Sequence, residues 1–142
     1  MSSANIKLLQ DAFDAFKRGD IQAVIEGLTE DVSWGLAGRS QDVPFLGIRH
    51  GKAGALEFFR VLGQVQTVTA FEPLRYAATE DMVFGWGRTE WTMVGNGVSG
   101  DNDWLFTATI REGKICAFRG YLDTAAMAEA YRAPAVKRAA NG

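Results

Sequence analysis

The chain has 142 residues, one cysteine, a formal net charge of −2 and a pI near 5.4. This length fits one domain that can form a core without a metal or a disulfide. The acidic balance argues against a nucleic-acid-binding protein, which would need clustered Lys and Arg to neutralise phosphates. The chain shows neither a signal-peptide pattern nor a run near the roughly 18 apolar residues of a membrane span. We therefore expect a cytoplasmic protein with no nucleic-acid or membrane partner.

The first part of the chain has the apolar periodicity of helices. From Ile6 to Phe16, apolar residues recur at spacings of three and four, which places them on one helix face. Gly19 then ends this helix, and Asp20 caps a second, shorter one. Residues 52–64 repeat the helical pattern, with Phe59 on the apolar face. The sequence therefore predicts three helices in its first half.

Strand patterns interrupt and then follow these helices. Alternating apolar residues around Trp34 predict a first strand at 31–36, and the Gly- and Pro-containing stretch 37–51 predicts a loop. Later the hydrophobic period becomes two, and a last short helix starts near Asp123 and runs to Tyr131. The four predicted later strands, separated by tight-turn signals, are 67–79, 82–94, 99–111 and 114–122.

Helices followed by a run of antiparallel strands predict an α+β fold. Strands of this length must twist and curl, so helices laid on the sheet would enclose an apolar space. We expect one domain over residues 1–132. The small, polar, Pro-interrupted stretch 133–142 is expected to be a flexible tail.

The turn at Asn96-Gly97 determines which strand faces point into that space. A two-residue turn would pair Glu90 with Asp103 and put Arg88 and Glu90 on a polar face. An odd loop, Gly95–Gly97 with a bulge, would instead bring Arg88 and Glu90 beside the aromatic face of the next strand. We prefer the odd loop because it merges two aromatic-rich faces. The pocket predicted on this basis is lined by Trp34, Phe59, Trp86, Trp104, Phe106, Phe118 and Gly120.

Three stretches of the chain resemble the nuclear-transport-factor-two-like superfamily, especially its SnoaL-like and ketosteroid-isomerase-related branch. They are "AFKRGDIQAVIEGLTEDVSW", "PFLGIRHGKAGALEFF" and "FTATIREGKICAFRGYLDTAAMAEAY". The resemblance implies a cone-shaped α+β barrel, often dimeric, with a deep pocket for small apolar molecules. We expect such a molecule as the ligand, and a homodimer formed through the outer face that carries Trp91.

The resemblance does not extend to the catalytic residues of the known enzymes. The ketosteroid isomerase base would fall near Leu36, and the other two catalytic positions also carry apolar residues. Arg88-Thr89-Glu90 resembles the Arg-x-Asp pair of limonene-epoxide-hydrolase-like members, with Glu for Asp. Those members use a second Asp, on the last strand, together with this pair. The corresponding position here is Gly120, which has no carboxylate.

Two hypotheses for function follow. In the first, Glu90 moves a proton and Arg88 holds its charge, giving hydrolase, isomerase or dehydratase chemistry on a compact apolar substrate. In the second, the chain is a non-catalytic ligand-binding or assembly domain, and the pair only orients the core. His50 is a further candidate base, although its place before a helix favours a loop or cap role. The stretch 101–103 lacks the Gly and distal Glu of a calcium loop, so we expect no metal and no cofactor.

Overall fold

The computed structural model describes residues 2–137, which form four helices and one six-stranded sheet. The helices α1 to α4 are Ser2–Lys17, Ile21–Glu26, Gly51–Val65 and Thr124–Arg132. The strands β1 to β6 are Leu28–Leu36, Gly47–His50, Gln66–Ala78, Met82–Met93, Ser99–Arg111 and Lys114–Tyr121.

Short polar side chains set where two of the helices begin. Asp20 Oδ1 accepts a hydrogen bond of 3.0 Å from the backbone N–H of Ala23 at the start of α2. Asp123 does the same for Ala126 at the start of α4, also at 3.0 Å. Each cap satisfies a backbone donor that the helix itself leaves free. The helix starts predicted from these two Asp residues are confirmed.

The sheet has the strand order β2-β1-β6-β5-β4-β3. Strands β3 to β6 form the predicted antiparallel meander, while β1 lies parallel to β6. Since β2 and β3 remain at the two edges, the curved sheet is open, and helices cover its inner face. The predicted α+β class is confirmed.

The stretch 37–51, predicted to be a loop, contains a short strand. Gly47–His50 forms β2, which pairs antiparallel with β1 so that Trp34 lies opposite Arg49. The prediction missed this strand because its four residues include Arg49 and His50 and lack a clear alternation of apolar and polar side chains. Its place at the sheet edge explains that composition, because an edge strand has a solvent-exposed side.

The register between β4 and β5 differs from the odd-loop prediction. Met93 N donates to Val98 O at 2.8 Å, so the connection comprises the four residues 94–97. Glu90 therefore lies opposite Asp101, and Arg88 lies opposite Asp103. An even number of loop residues keeps polar side chains of β4 beside polar side chains of β5. The preferred odd loop was wrong, and every side chain of β4 faces the opposite way from that prediction.

Helices α1 and α3 pack on the inner face of the sheet. Phe13 of α1 lies 5.3 Å from Phe71 of β3 and 5.5 Å from Trp104 of β5, measured between ring centroids. On the same inner face, toward the edge formed by β2, Phe59 of α3 lies 5.5 Å from Trp34 of β1, measured between ring centroids. Among residues 2–137, no helix has both the length and the apolar character needed to cross a membrane.

The stretch 133–137 continues along the β4–β5 connection. The backbone N–H of Val136 donates to Asn96 O at 2.7 Å, and the side chain of Asn96 bonds to the carbonyl of Ala133 at 2.9 Å. The rest of the predicted tail, 138–142, lies outside the described residues.

Candidate ligand-binding cavity

A cavity of about 90 Å³ lies between helices α1 and α3 and the inner face of the sheet. One water molecule needs roughly 10–15 Å³ by this measure, so the space suits a compact organic molecule or several waters. Aromatic side chains dominate its lining. They are Phe13, Phe16, Trp34, Phe45, Phe58, Phe59, Phe71, Trp91, Trp104, Phe106 and Phe118.

The aromatic rings form two stacks on the inner face. In the first, Trp104 stacks with Phe71 and with Phe106, at centroid distances of 5.0 and 4.2 Å and with nearly parallel planes, and the two phenylalanine rings lie 6.3 Å apart. In the second, Trp34 stacks on Phe118 at 4.1 Å with an interplanar angle of 12°. Stacked rings in a packed wall hold fixed orientations, so the lining presents preformed flat apolar surfaces.

Glycines make room for these rings on the strands beneath them. A Cβ atom added to Gly87 would lie 2.6 Å from the Trp104 ring, and one added to Gly120 would lie 2.7 Å from the Phe106 ring. A Cβ atom added to Gly100 would likewise lie 2.7 Å from the Trp91 ring. Gly120, predicted to give room in the pocket, thus gives room to a ring of the pocket wall.

Few polar groups reach the cavity. Trp91 Nε1 donates to Asn102 Oδ1 at 2.7 Å, and Trp104 Nε1 donates to Thr89 Oγ1 at 2.7 Å. Both of these acceptors also line the cavity. Trp34 Nε1, by contrast, is buried and has no hydrogen-bond partner among the described residues. Gln66, only 5% exposed, is the remaining polar residue of the lining.

Arg88 and Glu90 lie on the outer face of the sheet, across the strand from the cavity. Arg88 contacts Glu72 at 2.9 Å, Glu90 at 3.2 Å and Asp101 at 3.4 Å, and the Glu90 side chain is 47% exposed. The hydrogen bonds that the Arg88 guanidinium donates to the carboxylates of Glu90 and Glu72 raise the pKa of this guanidinium. Their predicted place in the aromatic interior was wrong, because the β4–β5 connection has an even number of residues. Exposed ion pairs of this kind contribute little to stability.

The same register exchanges the roles of two tryptophans. Trp86, predicted in the pocket, is 43% exposed on the outer face, opposite Leu105. Trp91, predicted on the outer face, is 5% exposed and lines the cavity. A sequence signal for the correct face exists in β4, where Gly85 and Gly87 alternate with the aromatic residues. Glycines mark the face on which neighbouring rings pack.

The predicted pocket residues Trp34, Phe59, Trp104, Phe106 and Phe118 do line the cavity. His50 does not belong to the lining: it is exposed at the N-cap of α3, and its side chain makes no capping hydrogen bond. The lining also contains no Asp, Glu, Lys or Arg among the described residues. Within the same part of the chain, no group of three or more metal-ligating side chains comes together.

Sequence comparison relates this arrangement to a known family. The family model described as SnoaL-like domain matches residues 9–118, which is most of the chain. The chain belongs to the SnoaL-like family. The resemblance drawn from the sequence is thereby confirmed. The matched region of this SnoaL-like chain includes both aromatic stacks. No curated protein matches the chain.

Solved structures extend this relationship to the whole fold. An NTF2-like protein from Burkholderia xenovorans LB400 is 25% identical, with a TM-score of 0.83 over 93% of this SnoaL-like chain and 98% of the other. An NTF2-like protein of unknown function from Burkholderia pseudomallei K96243 is 22% identical, with a TM-score of 0.82 over 94% and 100%. The protein TerC, co-crystallised with polyporic acid, is 23% identical, with a TM-score of 0.80 over 92% and 99%.

Proposed function

We propose that this SnoaL-like domain binds a compact, largely apolar organic molecule in the aromatic cavity. The observation that carries the proposal is a preformed cavity whose lining has two ring stacks and no charged side chain among the described residues. Concave, mostly apolar sites with a few polar groups are the usual form of small-molecule sites. A charged ligand would lose its hydration there without gaining a counter-ion.

The proposed role is binding, without acid–base chemistry through Glu90. That carboxylate bonds to Arg88 on the opposite face of the sheet from the cavity. A general base must come within hydrogen-bond reach of the proton that it removes. The second hypothesis from the sequence, a non-catalytic ligand-binding domain, therefore has the better geometrical support.

A binding measurement with a wholly apolar probe tests the proposal. α-Methylstyrene is an aromatic hydrocarbon of suitable size, and burying its surface at about 25 cal/mol per Å² predicts a Kd near 1 mM or below. Isothermal titration of the protein in sealed cells measures this value. No saturable binding to the folded protein would contradict the proposal.

A cavity-filling variant assigns the binding to this site. Ala12 lines the cavity from α1, so Ala12→Leu fills part of the space and should weaken α-methylstyrene binding by about tenfold. Ala4→Leu adds the same side chain at an exposed position of the same helix and should leave the Kd unchanged. Thermal unfolding of both variants checks that they fold. Equal affinities of the two variants would show that α-methylstyrene binds at a site other than this cavity.

We also propose that two copies of the chain pair through the outer face of the sheet. Trp86, Leu105 and Tyr121 are 43%, 41% and 48% exposed, and the pairing of β4, β5 and β6 puts them in one row. An exposed apolar row flanked by polar residues is typical of a protein contact surface. Sedimentation should therefore give a dimer that Leu105→Lys converts to a monomer. Leu56→Lys, at an exposed site on α3, should remain dimeric, and a monomeric wild type would contradict the proposal.

A further inference from the structure

The three tryptophans that line the cavity differ in what their indole N–H groups contact. Trp91 donates to Asn102 and Trp104 donates to Thr89, both at 2.7 Å. Trp34 is only 4% exposed, and its buried Nε1 has no hydrogen-bond partner among the described residues. A buried donor left without a hydrogen bond destabilises the folded protein, and such donors are rare in folded proteins.

No atom of the described residues accepts a hydrogen bond from this donor, and aromatic rings pack around the indole. Its ring is stacked on Phe118 at 4.1 Å, with Phe59 at 5.5 Å and Phe58 at 6.3 Å. All three neighbours are hydrocarbon rings. A phenylalanine in place of Trp34 could make similar ring contacts without the cost of an unpaired donor. The indole N–H is therefore accounted for best by an acceptor that comes from outside the protein.

Starting from the proposed binding function, we propose that Trp34 is a specificity residue. Its N–H donates a hydrogen bond to a neutral oxygen acceptor on the ligand, such as the carbonyl of an aromatic ketone or quinone. A carboxylate or phosphate is disfavoured because the lining carries no Lys, Arg or His among the described residues. The ligand class is thus an aromatic or alicyclic molecule with a carbonyl-type oxygen at one edge.

Two probes of nearly the same shape isolate this hydrogen bond. Acetophenone has a carbonyl oxygen where α-methylstyrene has a methylene carbon, so only acetophenone can accept from Trp34. The measured quantity is the ratio of their dissociation constants, acetophenone over α-methylstyrene. In Trp34→Phe this ratio should rise about five- to tenfold over wild type, the factor expected for one net hydrogen bond. Binding of α-methylstyrene to the same variant checks that its cavity is intact.

Two further tryptophan variants serve as comparisons. Trp91→Phe removes an N–H that already donates to Asn102 Oδ1. The oxygen that this substitution frees is an acceptor, so it cannot donate a hydrogen bond to the carbonyl of acetophenone. The substitution should change both affinities by a similar factor and leave their ratio within about twofold. Trp86→Phe lies on the outer face and should change neither affinity.

A spectroscopic measurement adds an independent readout. In ¹H–¹⁵N spectra, both probes should shift the Trp34 indole signal through their aromatic rings, and acetophenone should move its proton further downfield than α-methylstyrene does, because only acetophenone accepts a hydrogen bond. An unchanged affinity ratio in Trp34→Phe, with both probes bound to wild type, would overturn this inference while the binding function stands. Failure of both probes to bind wild type would instead contradict the proposed function itself.

Discussion

Individual residues show how glycine positions shape the cavity wall. Gly87 is in β4 with its Cα facing the Trp104 ring, and an added Cβ would also lie 2.3 Å from the backbone oxygen of Glu72. A backbone atom cannot move aside as a flexible side chain can. Gly87 is therefore required by the close approach of its neighbours, and it allows the Trp104 ring to pack directly against β4.

Gly87→Ala should destabilise the protein by about 1–3 kcal/mol, because the extra methyl group overpacks the core. Gly63 in α3 is the matched position, since an added Cβ there meets nothing within 4 Å. Gly63→Ala should stabilise by up to about 1 kcal/mol through helix propensity. Urea unfolding measures both changes. A Gly87→Ala variant as stable as wild type would show that the Trp104 stack is less tightly packed than described.

Tyr76 provides a prediction for alkaline pH. Burial raises the pKa of its phenol, and the nearby Asp14 carboxylate adds to this shift. Above pH 10 or so, the unfolded chain loses this proton before the folded chain does, so the unfolded state binds fewer protons. The free energy of unfolding should therefore fall as pH rises through that range, and less steeply in Tyr76→Phe. Parallel pH profiles of wild type and variant, measured by denaturant unfolding, would contradict this assignment.

At the scale of elements, the β4–β5 connection joins the sheet to the C-terminal helix. Asn96 Nδ2 lies 2.8 Å from Ala130 O, 3.2 Å from Tyr131 O and 2.9 Å from Ala133 O, at the end of α4. The carbonyls of Ala130 and Tyr131 belong to the last turn of α4, where helix acceptors lack intrahelical partners, and Ala133 follows the helix directly. One side chain in a turn thus caps a helix more than thirty residues later.

Asn96→Ala should remove these bonds and increase hydrogen exchange in α4 while leaving α1 unchanged. The expected loss of stability is about 1 kcal/mol, the net value of an ordinary hydrogen bond, because the acceptors are only partly buried or exposed. Asn5→Ala, which removes one exposed hydrogen bond of 3.3 Å to Glu80 O, is the comparison variant and should have a smaller effect. Unchanged exchange in α4 would mean that Asn96 does not hold this helix in place.

The contrast between predicted and observed elements has a physical cause. Helix starts at Asp20 and Asp123 depend on local chemistry, so the sequence indicates them directly. The orientation of β4 depends instead on the number of residues in one connection, and a change of one residue reverses every side chain. Composition misled here, because the aromatic-rich face of β4 is not its inner face. The inner face carries Gly85, Gly87 and Thr89, which accommodate rings from α1 and β5.

For the whole molecule, the sequence predicted the architecture better than the chemistry. The α+β fold and five of the seven pocket residues follow from periodicity and from the family resemblance. Gly120 also takes part, although through the ring that it accommodates. The Arg88–Glu90 pair was misplaced because sequence alone cannot distinguish a buried ion pair from an exposed one. Burial of that pair would have required the odd loop.

The central claim is that small apolar molecules occupy a cavity on the inner face of the sheet. The four tryptophans offer a direct test, because three of them, Trp34, Trp91 and Trp104, line the cavity while Trp86 lies outside. Titration of ¹⁵N-labelled protein with α-methylstyrene, followed through the indole N–H signals, should shift the three inner signals together and leave that of Trp86 in place. A shift confined to Trp86, or no saturable shift of the inner three, would contradict the account.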